Sequence, residues 1–235
     1  MSADGDRGLS EEDPGVSEED REFARKARFY PTLLVLLILL LALQPYAHVA
    51  EGLLVQLAFA GLLLTGLAAA ASRRRLLVVG LVLGVPAVAL LFVPGGVPTV
   101  AGGVLGIAML VFICFVILRS MFKHPVVSAG TVSAALVVYL TFGVIWAEAY
   151  WLVEYFYPNS FTGLTGPGAA EAQRDLFYYS YVTLATLGYG DINPVSPQAR
   201  SLAITEAIVG QLYLVVMVAG VVGARLAHLQ SKSGR

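Results

Sequence analysis

The sequence is poor in the residues from which most active centres are built. Among its 235 residues there is one cysteine and there are three histidines. Cys114 cannot close an intrachain disulfide, and it lies inside an apolar run, where helix packing is its expected role. His48, His124 and His228 stand far apart at segment ends and offer no metal-ligand spacing. An intramembrane enzyme needs a nucleophile and base, or several ligands, near one another, so neither an enzyme nor a cofactor is expected. Charge is scarce too: 13% of residues carry one, against about 25% in an ordinary soluble domain. The net charge of −1 gives no electrostatic case for a nucleic-acid partner. No secretory leader is expected, since the first apolar stretch begins only near Leu33. Residues 1–28, with nine Asp and Glu, read as a cytoplasmic amino-terminal tail, disordered over residues 1–20 at least.

What is abundant is apolar sequence, 57% of the chain, gathered into long blocks. Six segments emerge: Pro31 to Ala50, Gly52 to Ala71, Leu76 to Val93, Val97 to Leu118, Pro125 to Phe156, and Ser201 to His228. Each approaches or exceeds the ~20 residues needed to cross a ~30 Å hydrocarbon layer. Backbone groups in hydrocarbon must be satisfied within the segment, so the expected class is an all-α membrane protein with six transmembrane helices. Turns are expected at Gln44 through Gly52, Arg73–Arg75, Pro94–Pro98 and Arg119–Pro125. The basic residues are asymmetric. With these spans, 13 of the 15 Lys and Arg fall on one side, and only Arg174 and Arg200 lie opposite. That bias places both termini in the cytoplasm, with the Tyr157–Pro197 connection outside.

That connection is unusual. Pro158 to Gly168 has the Gly, Pro, Ser and Asn content of an exposed loop, whereas Glu171 to Ala185 has no Pro or Gly and reads as a helix of about four turns. It is too short to span. A short helix and a Gly-rich stretch between two spans describe a re-entrant loop, allowed at membrane depth only where protein or a water-filled cavity surrounds it. At its turning point stands Thr183-Leu184-Ala185-Thr186-Leu187-Gly188-Tyr189-Gly190-Asp191. A dehydrated potassium ion needs oxygens to replace its lost water, and rings of backbone carbonyls from several chains supply them. Pointing successive carbonyls to one side demands dihedrals that Gly188 and Gly190 adopt cheaply.

These residues resemble the potassium-channel signature Thr-x-x-Thr-x-Gly-Tyr-Gly, matched at Thr183, Thr186, Gly188, Tyr189 and Gly190, with Asp191 following. The resemblance covers roughly residues 125–228. It implies a homotetramer around one pore in which Thr186, Leu187, Gly188 and Tyr189 bind potassium, the permeant ligand, and Gly190 completes the filter. Leu187 stands where Val or Ile is commoner, and Ala185 where a second Thr is frequent. A weakly selective monovalent cation channel is therefore the alternative function. Tyr178 and Tyr179 resemble the aromatic cuff that braces the filter, with Tyr179 the expected partner of Asp191. Gly210 resembles the hinge glycine of the pore-lining helix, although a close helix–helix contact explains it equally well. From Gly210, helical spacing brings Leu214, Val218 and Val222 onto a face that could line the pore.

The remaining expectations follow from position. Residues 29–124 form a four-helix transmembrane domain in the place of a voltage sensor, 125–228 the pore domain, and 229–235 a short cytoplasmic tail. Voltage sensors carry several basic residues in their fourth helix, because each charge moved yields about 2.3 kcal/mol per 100 mV. Val97 to Leu118 contains none, so gating by a charged fourth helix is not expected. Glu148 and Glu154 are expected at the outer interface, and Glu206 in a structural bond behind the filter. The glycine pairs Gly80/Gly84 and Gly102/Gly106 read as packing faces. Membrane lipid is the expected surroundings, the plasma membrane the expected location, and any regulator a separate subunit.

Overall fold

The computed structural model describes residues 29–43, 53–70, 74–93, 95–123, 129–166 and 168–233. Seven helices and one small ribbon make up this part of the chain. They are α1 (Phe29–Leu43), α2 (Leu53–Ala70), α3 (Arg74–Leu91), α4 (Gly96–Lys123), α5 (Ala129–Phe156), β1 (Phe161–Thr162), α6 (Ala169–Leu184), β2 (Asn193–Pro194) and α7 (Pro197–Ser233). Three helices are long and apolar enough to cross a membrane, over Gly96–Met121, Gly130–Phe156 and Pro197–Gly220, while Tyr30–Leu43 is a shorter apolar helix. The chain is an integral membrane protein of the all-α class.

The expected helix boundaries shift in informative ways. The first segment's carboxy-terminal part, residues 44–50, lies outside the described residues, as do residues 1–28, Pro125 and the expected first turn. The turn expected over Arg119–Pro125 does not begin at Arg119: α4 runs on through Arg119 to Lys123, and residues 124 and 125 lie outside the described residues. Helix-favouring residues fill Leu118–Lys123, with no Gly or Pro to stop the helix. At the other end of the chain α7 begins at Pro197 rather than Ser201. The Ser196 hydroxyl accepts from the Ala199 amide at 3.2 Å, so Ser196 caps the helix and Pro197 occupies the first helical position.

α5 is the hub of the molecule. It packs against α1 and α4 on one side and against α6 and α7 on the other. Ala134, Val137, Val138, Thr141 and Val144 recur at helical spacing and are all buried. Opposite them lie Leu33, Leu37 and Leu40 of α1 and Met109, Leu110, Ile113 and Ile117 of α4. The outward faces are as apolar as the core: Val35, Ile38 and Leu39 of α1 and Val78, Leu81, Val82 and Val85 of α3 are exposed. An unbroken apolar surface of this kind suits a lipid environment. Small residues set the close approaches between helices. Gly84 lies against Met109 of α4, and Gly106 against the ring of Phe59 in α2.

A second buried cluster holds the loop end. Tyr150, Trp151, Phe161, Leu176, Tyr179, Ile192 and Ala199 meet there, drawing together α5, α6, α7 and the β ribbon. Edge-to-face contacts join the rings of Tyr150, Phe161 and Tyr179 at centroid distances of 5.1 to 5.5 Å. This geometry is favourable for aromatic quadrupoles.

Candidate functional site: the end of the short helix and the segment after it

α6 is 16 residues long, about 24 Å at 1.5 Å per residue, shorter than a hydrocarbon layer. Its termination shapes everything that follows. Ala185 is the C-cap. The Thr186 amide donates to the Thr183 carbonyl at 3.0 Å, and the Leu187 amide reaches back to the Val182 carbonyl at 2.9 Å. Thr186 itself has φ 56°. This pair of reversed bonds around a left-handed residue is a Schellman motif, in which glycine is the usual occupant. A threonine there stores about 1–2 kcal/mol of local strain.

The left-handed conformation then recurs at every second residue. Gly188 has φ 59° and Gly190 has φ 76°. Alternation between left-handed and ordinary dihedrals turns successive peptide planes so that neighbouring carbonyls face one side. Only the two glycines were expected to do this; the left-handed Thr186 was missed, because its conformation comes from the helix cap rather than from its own preference. Leu187 and Tyr189 are exposed on the single chain, at 55% and 66%, so more than half of each residue is left uncovered by the described residues.

The aromatic brace differs from expectation in one respect. Tyr178, not Tyr179, meets Asp191: its hydroxyl donates to Oδ2 at 2.8 Å. Neighbouring residues of a helix are 100° apart, so one of the pair faces the segment after the helix and the other faces the core. Tyr179 is the inward one, buried against Tyr150 and Phe161. Thr183 lies one turn beyond Tyr179 on α6. The Tyr178 bond holds the Asp191 carboxyl below its usual range and raises the Tyr178 phenol.

Downstream, the Asn193 side-chain amide donates to the Gly190 carbonyl at 2.7 Å. Phe161 and Thr162 pair antiparallel with Pro194 and Asn193. The approach is closest at Gly163, with φ 88°, where a Cβ would come within 1.9 Å of the Asp191 carbonyl oxygen. The connecting loop is itself anchored. Asp175 accepts from the Thr165 amide and hydroxyl at 2.6 and 2.8 Å. Glu154, expected at an exposed interface, is instead half-buried and accepts three backbone amides, from Asn159, Ser160 and Phe161. Glu148 is also half-buried, and its Oε1 accepts from the Gln173 amide at 3.2 Å.

Four hydrogen bonds to backbone carbonyls staple α6 and α7 to α5. Tyr181 donates to the Leu140 carbonyl at 2.7 Å, Tyr139 to the Leu184 carbonyl at 3.2 Å, and Tyr213 to the Ala135 carbonyl at 2.8 Å. The fourth joins Ser180 to the Gly143 carbonyl at 2.8 Å. Gly143 makes room for α6: a Cβ there would lie 2.5 Å from the Tyr181 ring. Glu206 is fully buried beside them, bonded to Tyr150 and Ser180. Its intramembrane charge was the sequence signal for such a partnership, but the partners themselves carried none.

Gly210 faces the end of α6, and a Cβ there would lie 2.7 Å from Leu184 Cδ1. α7 is continuously helical through this point. Leu214 and Val218 are exposed. Val222 lies within α7, but its side chain is outside the described residues.

A helix capped directly into an alternating, carbonyl-presenting segment, held between two long apolar helices, defines the class of pore-loop ion channels. A family model described as "Ion channel" matches residues 134–227, from α5 into α7. Over this segment the chain is similar to ion channels of the pore-loop kind. Three relatives place it more closely. The "Voltage-gated potassium channel Kch" of Escherichia coli (strain K12) is 33% identical over 111 residues, 45% of this chain and 23% of that protein. The "Two pore potassium channel c" of Oryza sativa subsp. japonica is 34% identical over 87 residues, 37% of this chain and 17% of that protein. The "Inward rectifier potassium channel Kirbac3.1" of Paramagnetospirillum magnetotacticum is 35% identical over 82 residues, 33% of this chain and 24% of that protein. The matches thus span no more than 24% of these relatives' lengths. No solved structure gives a significant match.

Proposed function

We propose that the chain is a subunit of a homotetrameric, potassium-selective channel that conducts passively across the plasma membrane. The observation that carries this reading is the left-handed backbone at Thr186, Gly188 and Gly190, immediately after α6. Four copies around an axis would offer the carbonyls of Thr186, Leu187, Gly188 and Tyr189 as successive rings for dehydrated potassium, with Gly190 closing the outer end and the Thr186 hydroxyl at the inner end. Leu187 and Tyr189, exposed on one chain, would then pack against neighbouring copies. The carboxyl end of α6 directs its negative dipole toward the same axis and favours a cation there. α6 and the filter form the re-entrant loop, within a six-span chain whose termini are cytoplasmic. Gly210 would act as the inner-helix hinge, and Leu214, Val218 and Val222 would line the pore below it. α4 has no charged residue between Gly96 and Leu118, which supports gating by something other than a charged fourth helix.

Purified protein in liposomes, with opposed potassium and sodium gradients, tests the reading. A reversal potential that follows potassium, and a flux blocked by barium, is expected. A reversal potential that follows both ions would instead support a weakly selective cation channel, to which Leu187 and Ala185 point. Gly188→Ala forces a side chain into a left-handed position and should abolish selective flux. Unchanged flux in that variant would overturn the assignment of the filter.

A further inference from the structure

Glu206 lies behind the filter, and its bonding carries information about its proton. Glu206, Tyr150 and Ser180 are each 0% exposed. The Tyr150 hydroxyl donates to Oε2 at 2.5 Å. On the other side three oxygens stand in series. Ser180 Oγ lies 2.6 Å from Glu206 Oε1 and 2.8 Å from the Gly143 carbonyl oxygen. Oxygens this close require a hydrogen between them. A serine hydroxyl has one proton to give, an ionised carboxylate has none, and a carbonyl only accepts. An ionised Glu206 would therefore leave one of the two contacts as oxygen against oxygen, and complete burial keeps water from filling the deficit. One proton on Oε1 satisfies the whole series. Glu206 then donates to Ser180, Ser180 donates to Gly143, and Oε2 accepts from Tyr150.

The surroundings agree with this count. The titratable groups that face Glu206 are phenols, Tyr139 and Tyr150 on α5 and Tyr179 and Tyr181 on α6. Among the described residues no cation pairs with it, so a carboxylate there would lack a counter-charge. We propose that Glu206 is a neutral carboxylic acid in the conducting channel, and that its proton closes a latch joining α7 to α5 and α6 behind the filter. Removing the proton breaks the latch, frees α6, and stops conduction from the alkaline side. The effect on conduction rests on the channel reading above; the protonation does not.

The test has two arms on the full chain in lipid. Infrared difference spectra of wild type against Glu206→Gln should show the carbonyl stretch of a protonated carboxyl at neutral pH, lost as the pH is raised. If no such Glu206-dependent band exists at neutral pH, the proposal is overturned. Tyr150→Phe removes a donor that favours the ionised form and should move the loss of the band to higher pH; a shift to lower pH also overturns it. In the second arm, potassium flux in wild-type liposomes should fall over the pH range in which the band disappears. Glu206→Gln, whose amide donates to Ser180 and accepts from Tyr150 without titrating, should lose that dependence. Retention of the wild-type pH profile by Glu206→Gln would overturn the latch. Absence of potassium flux at every pH would overturn the channel reading, while the infrared arm still decides the proton.

Discussion

At the scale of single residues, the segment after α6 depends on neighbours that are themselves tightly specified. Gly163 is the clearest case, because its positive φ and its approach to Asp191 leave no space for a methyl group. Gly163→Ala should lower thermal stability by about 1–3 kcal/mol, the usual cost of overpacking, and disturb the backbone just beyond Gly190. Gly61→Ala is the matched control: its Cβ would make ordinary contacts with Leu36 at 3.7 Å. In a helix that change should be neutral or stabilising by about 0.5–1 kcal/mol. Thermal unfolding in detergent distinguishes the two. Asp191 gives a pH prediction with a definite sign. Its carboxyl is held low by the Tyr178 hydroxyl, so the bond persists through the usual carboxylate range and is lost only as the pH falls below it. Tyr178→Phe should move acid inactivation of potassium flux upward, toward that ordinary range. The sequence marked both tyrosines but could not say which faced Asp191, because that choice depends on the rotation of α6 against α5. Gly163 was unmarked for a similar reason: its constraint comes from a strand thirty residues away.

At the scale of elements, α6 is held by its contacts with α5 rather than by a side-chain cap at its amino end. Gly168 at its amino end makes no side-chain capping bond. The stability of this helix should therefore follow the α5 interface. Gly143→Ala, which puts a Cβ 2.5 Å from the Tyr181 ring, should cost about 1–3 kcal/mol in thermal unfolding and reduce flux. Tyr181→Phe, which loses only the bond to the Leu140 carbonyl, should cost about 0.5–1.5 kcal/mol. A larger loss for Tyr181→Phe than for Gly143→Ala would count against this account of the interface. The elements themselves were largely legible. The short helix expected at Glu171–Ala185 is found at Ala169–Leu184, because the absence of Pro and Gly and the density of aromatics are local signals. The end of α4 was misjudged because basic residues were taken as a stop, whereas Arg119 and Lys123 are compatible with continued helix.

At the scale of the whole molecule, two halves meet along α5. The first four helices form the large apolar core with α5, Phe177 of α6 joins it, and α6 and α7 pack along α5 as well. If α4 carries no gating charge, the open probability in a planar bilayer should change little between −100 and +100 mV, which is a range of about 4.6 kcal/mol for each charge that crosses fully. A steep response would require charge movement elsewhere. The apolar blocks made the membrane class legible, but not which faces meet, since helices apolar all round have no marked side. One feature has a mechanical consequence. Thr186 is both the left-handed residue that closes the capping turn of α6 and the first residue of the proposed filter. No compliant linker separates α6 from that segment, so under the proposed function a displacement of α6 would reach the innermost ion site undiminished. A tetramer of the proposed kind could be shut at its narrowest point by small tilts of its four short helices, without closing any wider part of the passage.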